Sequence, residues 1–183
     1  GRGALQVLDL WAERRSKTHE ELRVAVQGFG NAGYHFARLA RERGYRIVAL
    51  SDSQGAIYAA DGLDPDPIWR HKHKNRELKG MVYCDESVCQ EADVEQLTNE
   101  ELLALDVDVL VLAALEDAVT EQNAATVNAA TILEIANGPV SNAADDQLAK
   151  RGVEVLPDVL VNAGGVIVSH LEWVQNRIGD TWS

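Results

Sequence analysis

Three glycines and one aspartate carry the first chemical clue. Gly28, Gly30 and Gly33 are spaced Gly-x-Gly-x-x-Gly after an apolar run, residues 22–27, and open a helical pattern in which Gly33, Phe36, Ala37 and Ala40 share one face. In such a spacing the first glycine permits a tight turn. The second lets backbone approach a pyrophosphate, and the third lets the helix sit close on the sheet. The helix start adds unpaired N–H groups and the positive end of a dipole, both suited to phosphate. About twenty residues on, a second apolar run, residues 47–50, ends in Ser51-Asp52. A carboxylate there has the chemistry to accept hydrogen bonds from both hydroxyls of an adenine ribose. Glycine turns are common, so the spacing alone is weak. Strand, helix, second strand and terminal acid in this order make the layout of a dinucleotide-binding βαβ unit. The competing reading is a glycine-rich turn in an α/β domain that binds nothing.

Holding these groups in place requires a particular order of elements. Residues 1–15 read as a helix with Leu5, Leu8 and Trp11 inward. Strand 22–27 leads into helix 31–43, which stops at Gly44, and strand 46–50 follows. Residues 53–63 form a loop with a short hairpin at 56–58. Residues 64–76 form a helix capped by Asp64 with Pro65 at its first position. Val82-Tyr83 is expected as a brief strand. Thr98 and Glu101 form a capping box for a helix over 98–105. The near-continuous apolar run 107–112 predicts a central parallel strand, followed by the small residues Ala113 and Ala114. Next come a helix over 120–127, a strand over 131–135 ending in Ala136-Asn137-Gly138-Pro139, and a helix over 142–151 closed by Gly152. Last are a strand over 153–156 and a long helix over 162–178, with Ile167, Leu171, Val174 and Ile178 as its buried stripe. Alternating strands and helices predict an α/β fold, a doubly wound parallel sheet in three α/β/α layers. Ser51-Asp52, Ala113-Ala114 and Asn137 then fall beyond strand carboxyl ends, where such sheets bind ligands.

Bulk properties narrow the partners. The chain has 183 residues, 46% of them hydrophobic, and a formal net charge of -12. That charge argues against nucleic acid or an anionic membrane, and an anionic substrate would need local cations. No apolar run approaches the ~20 residues of a membrane span, and no signal peptide is visible. Cys84 and Cys89 match no zinc spacing, so they read as reduced thiols, and a cytoplasmic setting follows by default. The one basic cluster, His71-Lys72-His73-Lys74-Asn75-Arg76, reads first as a solvated helix face and second as a contact to a cofactor phosphate or another domain. Its histidines, two apart, point to different faces of a helix, so no metal site is expected.

Four segments together go beyond a generic nucleotide fold: residues 27–33 (Gln-Gly-Phe-Gly-Asn-Ala-Gly), 51–53 (Ser-Asp-Ser), 136–139 (Ala-Asn-Gly-Pro) and 162–169 (Asn-Ala-Gly-Gly-Val-Ile-Val-Ser), the last continued by Glu172-Trp173-Val174-Gln175-Asn176. This set resembles the C-terminal, Rossmann-type NAD(P)-binding domain of glutamate dehydrogenases, within the glutamate, leucine, phenylalanine and valine dehydrogenase superfamily. It covers nearly the whole chain, and the ending after Val168 resembles the glutamate branch. The resemblance implies that Gly28, Phe29, Gly30, Asn31, Ala32 and Gly33 cradle the pyrophosphate. Asp52, with Ser51 or Ser53, would hold the adenine ribose. Ala113 and Ala114 would line the nicotinamide side, Asn137 would bond its ribose, and Asn162 its carboxamide. Val166 and Ser169 would face the substrate, with Ser169 donating to the distal carboxylate of glutamate. For Asn137 the plain reading is a turn residue before Gly-Pro; for Ser169, a hydroxyl bonded back to its own helix. Leu112, where the family often has proline, and Ile135, where a small residue is commoner, depart from the pattern.

The resemblance further implies reversible oxidative deamination of L-glutamate to 2-oxoglutarate and ammonia, in a homo-oligomer, a hexamer by family. The glycine-rich lysine motif and proton-transferring aspartate of such enzymes are not found here. The chain is therefore expected to be one domain, residues 1–183, of a longer two-domain enzyme, and to carry no catalytic residue itself. A standalone nucleotide sensor and a dehydrogenase for an apolar amino acid are the alternatives. Asp52 would repel a 2′-phosphate, which favours NAD. A cation from residues 71–76 reaching that phosphate would admit NADP.

Overall fold

The computed structural model describes residues 1–75, 78, 84–85, 88–89 and 94–179. The elements run α1 (Arg2–Arg14), β1 (Arg23–Gln27), α2 (Asn31–Glu42), β2 (Arg46–Asp52), β3 (Gly55–Tyr58), α3 (Pro65–Asn75), β4 (Cys84–Asp85), β5 (Val88–Cys89), β6 (Glu95–Leu97), α4 (Asn99–Leu103), β7 (Val109–Leu112), β8 (Thr131–Glu134), α5 (Asn142–Lys150), β9 (Glu154–Leu156), α6 (Asp158–Val161) and α7 (Ala163–Ile178). The expected strand at Val82-Tyr83 and the cluster residue Arg76 lie outside the described residues. β4 and β5 pair with each other alone.

One seven-stranded sheet, in the order β6-β3-β2-β1-β7-β8-β9, organises the chain. The five strands from β2 to β9 in that order are parallel. β3 runs against β2, and β6 against β3, so the sheet is mixed at one edge rather than parallel throughout. Connection length explains the reversal: only Ser53 and Gln54 separate β2 from β3, and so short a link joins only antiparallel neighbours.

Two apolar layers cover the sheet. Val109 and Val111 of β7 point into the layer shared with α1, α2 and α3, while Leu110 and Leu112 point into the layer under α4 and α5. That alternation is the period of a strand buried on both faces. α2 buries Gly33, Phe36, Ala37 and Ala40, the face its helical spacing predicted. The β1–β2 ladder skips a residue: Val24 faces Ile47, but Ala25 faces Ala49. Val48 is a bulge, and Val48 and Ala49 both enter the second layer. At the far edge, Trp11 Nε1 donates to Glu154 Oε2 at 2.7 Å, and the Arg15 guanidinium bonds the same oxygen, which fastens α1 to β9.

Three expectations fail for identifiable reasons. Residues 120–127 form turns with one 3-10 turn at Ala124–Thr126, not a helix. Asn123 is the cause: its Oδ1 accepts from Thr120 N at 2.8 Å and its Nδ2 donates to Ala118 O at 3.0 Å, and such side-chain bonds compete with helix. The long C-terminal helix breaks at Asn162 into α6 and α7. Its stripe is not buried: Ile167, Leu171 and Ile178 are exposed and Val174 is half-buried. α7 touches α1 where Gly164 meets Gly3, and its apolar face stands in solvent. Helical spacing marks such a face without saying what covers it.

Candidate functional site

The turn from β1 into α2 is built by three glycines with different reasons to be glycine. Gly28 has φ 95°, and a Cβ there would lie 2.6 Å from Ala114 N and 2.7 Å from Ala113 C. A Cβ on Gly33 would lie 2.0 Å from Gly28 O. These two are required by the fold itself. A Cβ on Gly30 would meet nothing within 4 Å, and its φ of -91° suits any residue. Gly30 is the N-cap of α2 and leaves the helix start without a side-chain cap. The open space lies where uncapped N–H groups point, with Asn31 and Ala32 exposed on the first turn.

The loop is held from beneath and from the side. Ser51 is fully buried; its carbonyl accepts from Phe29 N at 2.6 Å and Gly28 N at 3.2 Å, and its Oγ lies 3.4 Å from Gly28 N. Ser51 thus anchors the loop, while Ser53 is exposed. Phe29 is also fully buried, with its ring edge-on to Tyr34 and Trp69, themselves stacked at 4.3 Å. Its side chain wedges the loop against α3 and leaves only backbone for a ligand. Burial, aided by a hydrogen bond to Asp66, pushes the Tyr34 phenol above its ordinary pKa.

Asp52 stands beside this loop with both oxygens engaged. Oδ1 accepts from Gln54 N at 2.9 Å, and Oδ2 lies 3.4 Å from Lys72 Nζ. Lys72 Nζ also donates to Phe29 O at 2.7 Å, and Asn99 Nδ2 donates to Asp52 O at 3.0 Å. A cleft of about 650 Å³ is bounded by Gly28, Gly30, Asp52, Ser53, Ala113 and Ala114, with Lys72 in its wall. Gln27 Oε1, at the same wall, is buried with no hydrogen-bond partner among the described residues. An orphan acceptor of that kind is rare in a finished interior and suits a site that receives a ligand donor.

Asn137 and Asn162 meet elsewhere. Asn162 Nδ2 donates to Asn137 Oδ1 at 2.7 Å, and lies 3.4 Å from Ile135 O. A carboxylate relay holds the turn: Asp158 N donates to Glu134 Oε2 and Gly138 N donates to Asp158 Oδ2, both at 2.9 Å. Glu134 is only 6% exposed. Burial raises its pKa above the ordinary value, although the Asp158 N–H bond works against that. Val166 and Ser169 stand exposed on α7 and do not border the cleft. The structure thus gathers the loop, Asp52, Ser53, Ala113 and Ala114, pairs the two asparagines, and leaves the substrate-side residues apart.

Asn99, Gln27, Glu134 and Asp158 escape the sequence reading, and Lys72 enters it only within the basic cluster 71–76, whose second reading is a contact to a cofactor phosphate or another domain. For Lys72 a signal existed: it lies one helical turn after the buried Ile68, hence on the inner face of α3. Among the described residues no group of three or more His, Cys, Asp or Glu side chains is placed to hold a metal ion. No described helix is long and apolar enough to cross a membrane.

A doubly wound sheet with a glycine turn at the β1–α2 junction defines a Rossmann-type α/β domain. The chain matches the Glutamate/Leucine/Phenylalanine/Valine dehydrogenase family over residues 1–183, and it belongs to that family. It is 50% identical, over all its length, to the NADP-specific glutamate dehydrogenase of Synechocystis sp., and covers 42% of that protein. It is 42% identical to the NAD-specific glutamate dehydrogenase A of Halobacterium salinarum, again over its whole length and 40% of the relative. Among solved structures, the hetero-hexameric glutamate dehydrogenase of Thermus thermophilus in its Leu-bound form superposes with a TM-score of 0.82 at 35% identity, over 99% of this chain and 40% of that one. The chain spans about two fifths of these relatives' length.

Proposed function

We propose that this chain is the coenzyme-binding domain of an amino-acid dehydrogenase, one that carries out reversible NAD(P)-dependent oxidative deamination of L-glutamate to 2-oxoglutarate and ammonia. The observation that carries the reading is the contrast among the glycines: Gly28 and Gly33 are filled by neighbouring backbone, while Gly30 faces open space at an uncapped helix start. The names of the relatives support glutamate as substrate, and support a nicotinamide dinucleotide of either kind.

Such a coenzyme, when bound, supplies the acceptor for the hydride from the substrate Cα. The part of this chain is to bind and orient. The N–H groups at Asn31 and Ala32, beside the backbone of Gly28, Phe29, Gly30 and Gly33, receive the pyrophosphate. Asp52 and Ser53 face the adenine ribose, and Ser51 contributes from beneath by fixing the loop. Ala113 and Ala114 leave room at the nicotinamide end. Asn137 and Asn162 address that ribose and carboxamide, and Val166 and Ser169 address the substrate. The lysines that would bind the substrate carboxylates belong to a second domain of a longer chain. The exposed apolar stripe of α7 supports that arrangement, because a face of this kind ordinarily meets a partner surface. The whole enzyme is read as a cytoplasmic homo-oligomer, a hexamer by family.

Calorimetric titration with NADH and NADPH, and a glutamate-dependent NADH-formation assay, test this. The expected result is binding of coenzyme without turnover by this chain alone. No heat from either coenzyme at millimolar levels overturns the reading. Appreciable turnover overturns the assignment of catalysis to another domain.

A further inference from the structure

Every polar group of Asp158, the first residue of α6, is engaged. Its N–H donates to Glu134 Oε2 at 2.9 Å. Its Oδ2 accepts from Gly138 N at 2.9 Å and its Oδ1 from Val159 N at 2.6 Å. Its carbonyl accepts from Asn162 N at 2.8 Å. Glu134 is buried at the end of β8, so it is the fixed point to which Asp158 is fastened. Gly138 follows Asn137 and has a left-handed φ of 52°. With no side chain, Gly138 is held through its backbone groups. Its N–H goes to Asp158, and its carbonyl accepts at 3.0 Å from the N–H of Asp117, which borders the cleft. The Asn137 turn is thus tied on one side to the cleft wall and on the other, through Asp158, to the helical turn that ends in Asn162. The direct bond between the two asparagines joins exposed side chains, and such a bond holds little by itself.

We infer that Asp158 is a positioning residue for the nicotinamide half of the coenzyme: it sets the spacing of Asn137 and Asn162 and ties that pair to the cleft. The inference rests on the coenzyme-binding reading above and specifies it. Asp158 acts through Gly138 and Asn162, not on the coenzyme itself. What the turn needs from its side chain is an acceptor oxygen at Gly138 N, and the negative charge is incidental. The adenosine half, addressed by the glycine loop and Asp52, is independent of it, because none of the four groups bonded to Asp158 borders the cleft.

The test is equilibrium titration of this chain with NADH and with ADP at fixed salt, recording the emission of the bound reduced nicotinamide. ADP carries the adenosine and the diphosphate without the nicotinamide riboside. The unaltered chain is expected to bind both. Asp158→Ala should weaken NADH at least about fivefold and leave ADP within about twofold, the loss of one charge-assisted hydrogen bond felt at one end of the ligand. The emission maximum of bound NADH should move toward that of the free coenzyme. Asp158→Asn keeps an acceptor for Gly138 N and removes the charge, so both ligands should stay within about twofold of the unaltered chain. Asp158→Ser, a residue at home near a helix start, cuts the same bond with the same expected split and serves if the alanine variant folds poorly. Equal changes for NADH and ADP, an unmoved emission maximum, or an Asp158→Asn variant as weak as Asp158→Ala overturn the inference and leave Asp158 as a brace for α6. Failure of the unaltered chain to bind NADH overturns the coenzyme reading itself, and this inference with it.

Discussion

The glycine-loop end of the sheet and the C-terminal helix α7 are built on opposite terms. Around the loop nearly every group is over-determined. Gly28 and Gly33 touch backbone, Ser51 receives two N–H groups, Phe29 is wedged by two aromatic rings, and Lys72 ties α3 to the turn. α7 has the apolar spacing of a core helix but fully buries none of it, with Val174 alone of the stripe half-buried. The first region carries its geometry within this chain, whereas the second has an unfinished surface. Sensitivity to mutation should therefore be steep at the loop and shallow at α7.

The sharpest break in that contrast comes from two glycines three residues apart. Gly33→Ala forces a methyl onto Gly28 O, and such overpacking against backbone should cost about 3 kcal/mol, or about 6–12 °C in a thermal melt. Gly30→Ala has room and a permissive φ, so its melting temperature should stay within about 2 °C, yet coenzyme affinity should fall because the methyl occupies the approach. Equal melting losses in the two variants would remove the distinction between glycines the fold needs and a glycine the ligand needs.

Two glutamates sharpen the comparison through pH. Burial works against the charge of Glu154, but the Trp11 N–H and Arg15 outweigh it and hold its pKa below 4.5. Its stabilisation is present above 4.5 and lost as pH falls through the lowered folded value. Glu134 has the opposite sign: burial raises its pKa above 4.5, so its contribution is full below 4.5 and lost as pH rises through the raised value. Denaturant midpoints read across about pH 3 to pH 7 should show Glu154→Gln flattening the acid limb. Glu134→Gln should gain on the unaltered chain as pH rises. Slopes of the same sign would refute one of the two assignments.

The smallest effect belongs to α7. Ile167→Ser and Leu171→Ser should change the stability of this chain by no more than about 0.5 kcal/mol, as read by urea titration. A loss of several kcal/mol would mean that the stripe is covered after all.

Much of the loop region was legible from sequence because its causes are local. Three glycines at fixed offsets, a strand before and a helix after are all visible within twelve residues or so. The Thr98–Glu101 capping box was legible for the same reason, and it forms as expected. What escaped was set by distant partners. Nothing near residues 71–76 says that Lys72 meets Phe29 and Asp52, because that contact depends on how α3 crosses the sheet. β6 escaped because Glu95, Gln96 and Leu97 lack apolar alternation and pair only with the reversed β3. The false helix at 120–127 had good spacing, but Asn123 bonded its own neighbourhood instead. The stripe of α7 was read correctly as apolar and wrongly as buried, since periodicity reports a face and not its cover.

The extra residue in β2 has a consequence for the whole charge arrangement. Strand side chains point alternately up and down, but Val48 and Ala49 both enter the second layer, so the bulge absorbs the extra residue and Ala49, Leu50 and Ser51 stay paired with Ala25, Val26 and Gln27. With Val48 bulged in this way, Ser51 turns beneath the glycine loop and Asp52 turns toward Lys72. The same seven residues of β2 alternating strictly, without the bulge, would exchange them, presenting a hydroxyl to the lysine and sinking a carboxylate under the turn. The bulge thus acts as a selector switch, choosing which of two adjacent side chains meets the cation.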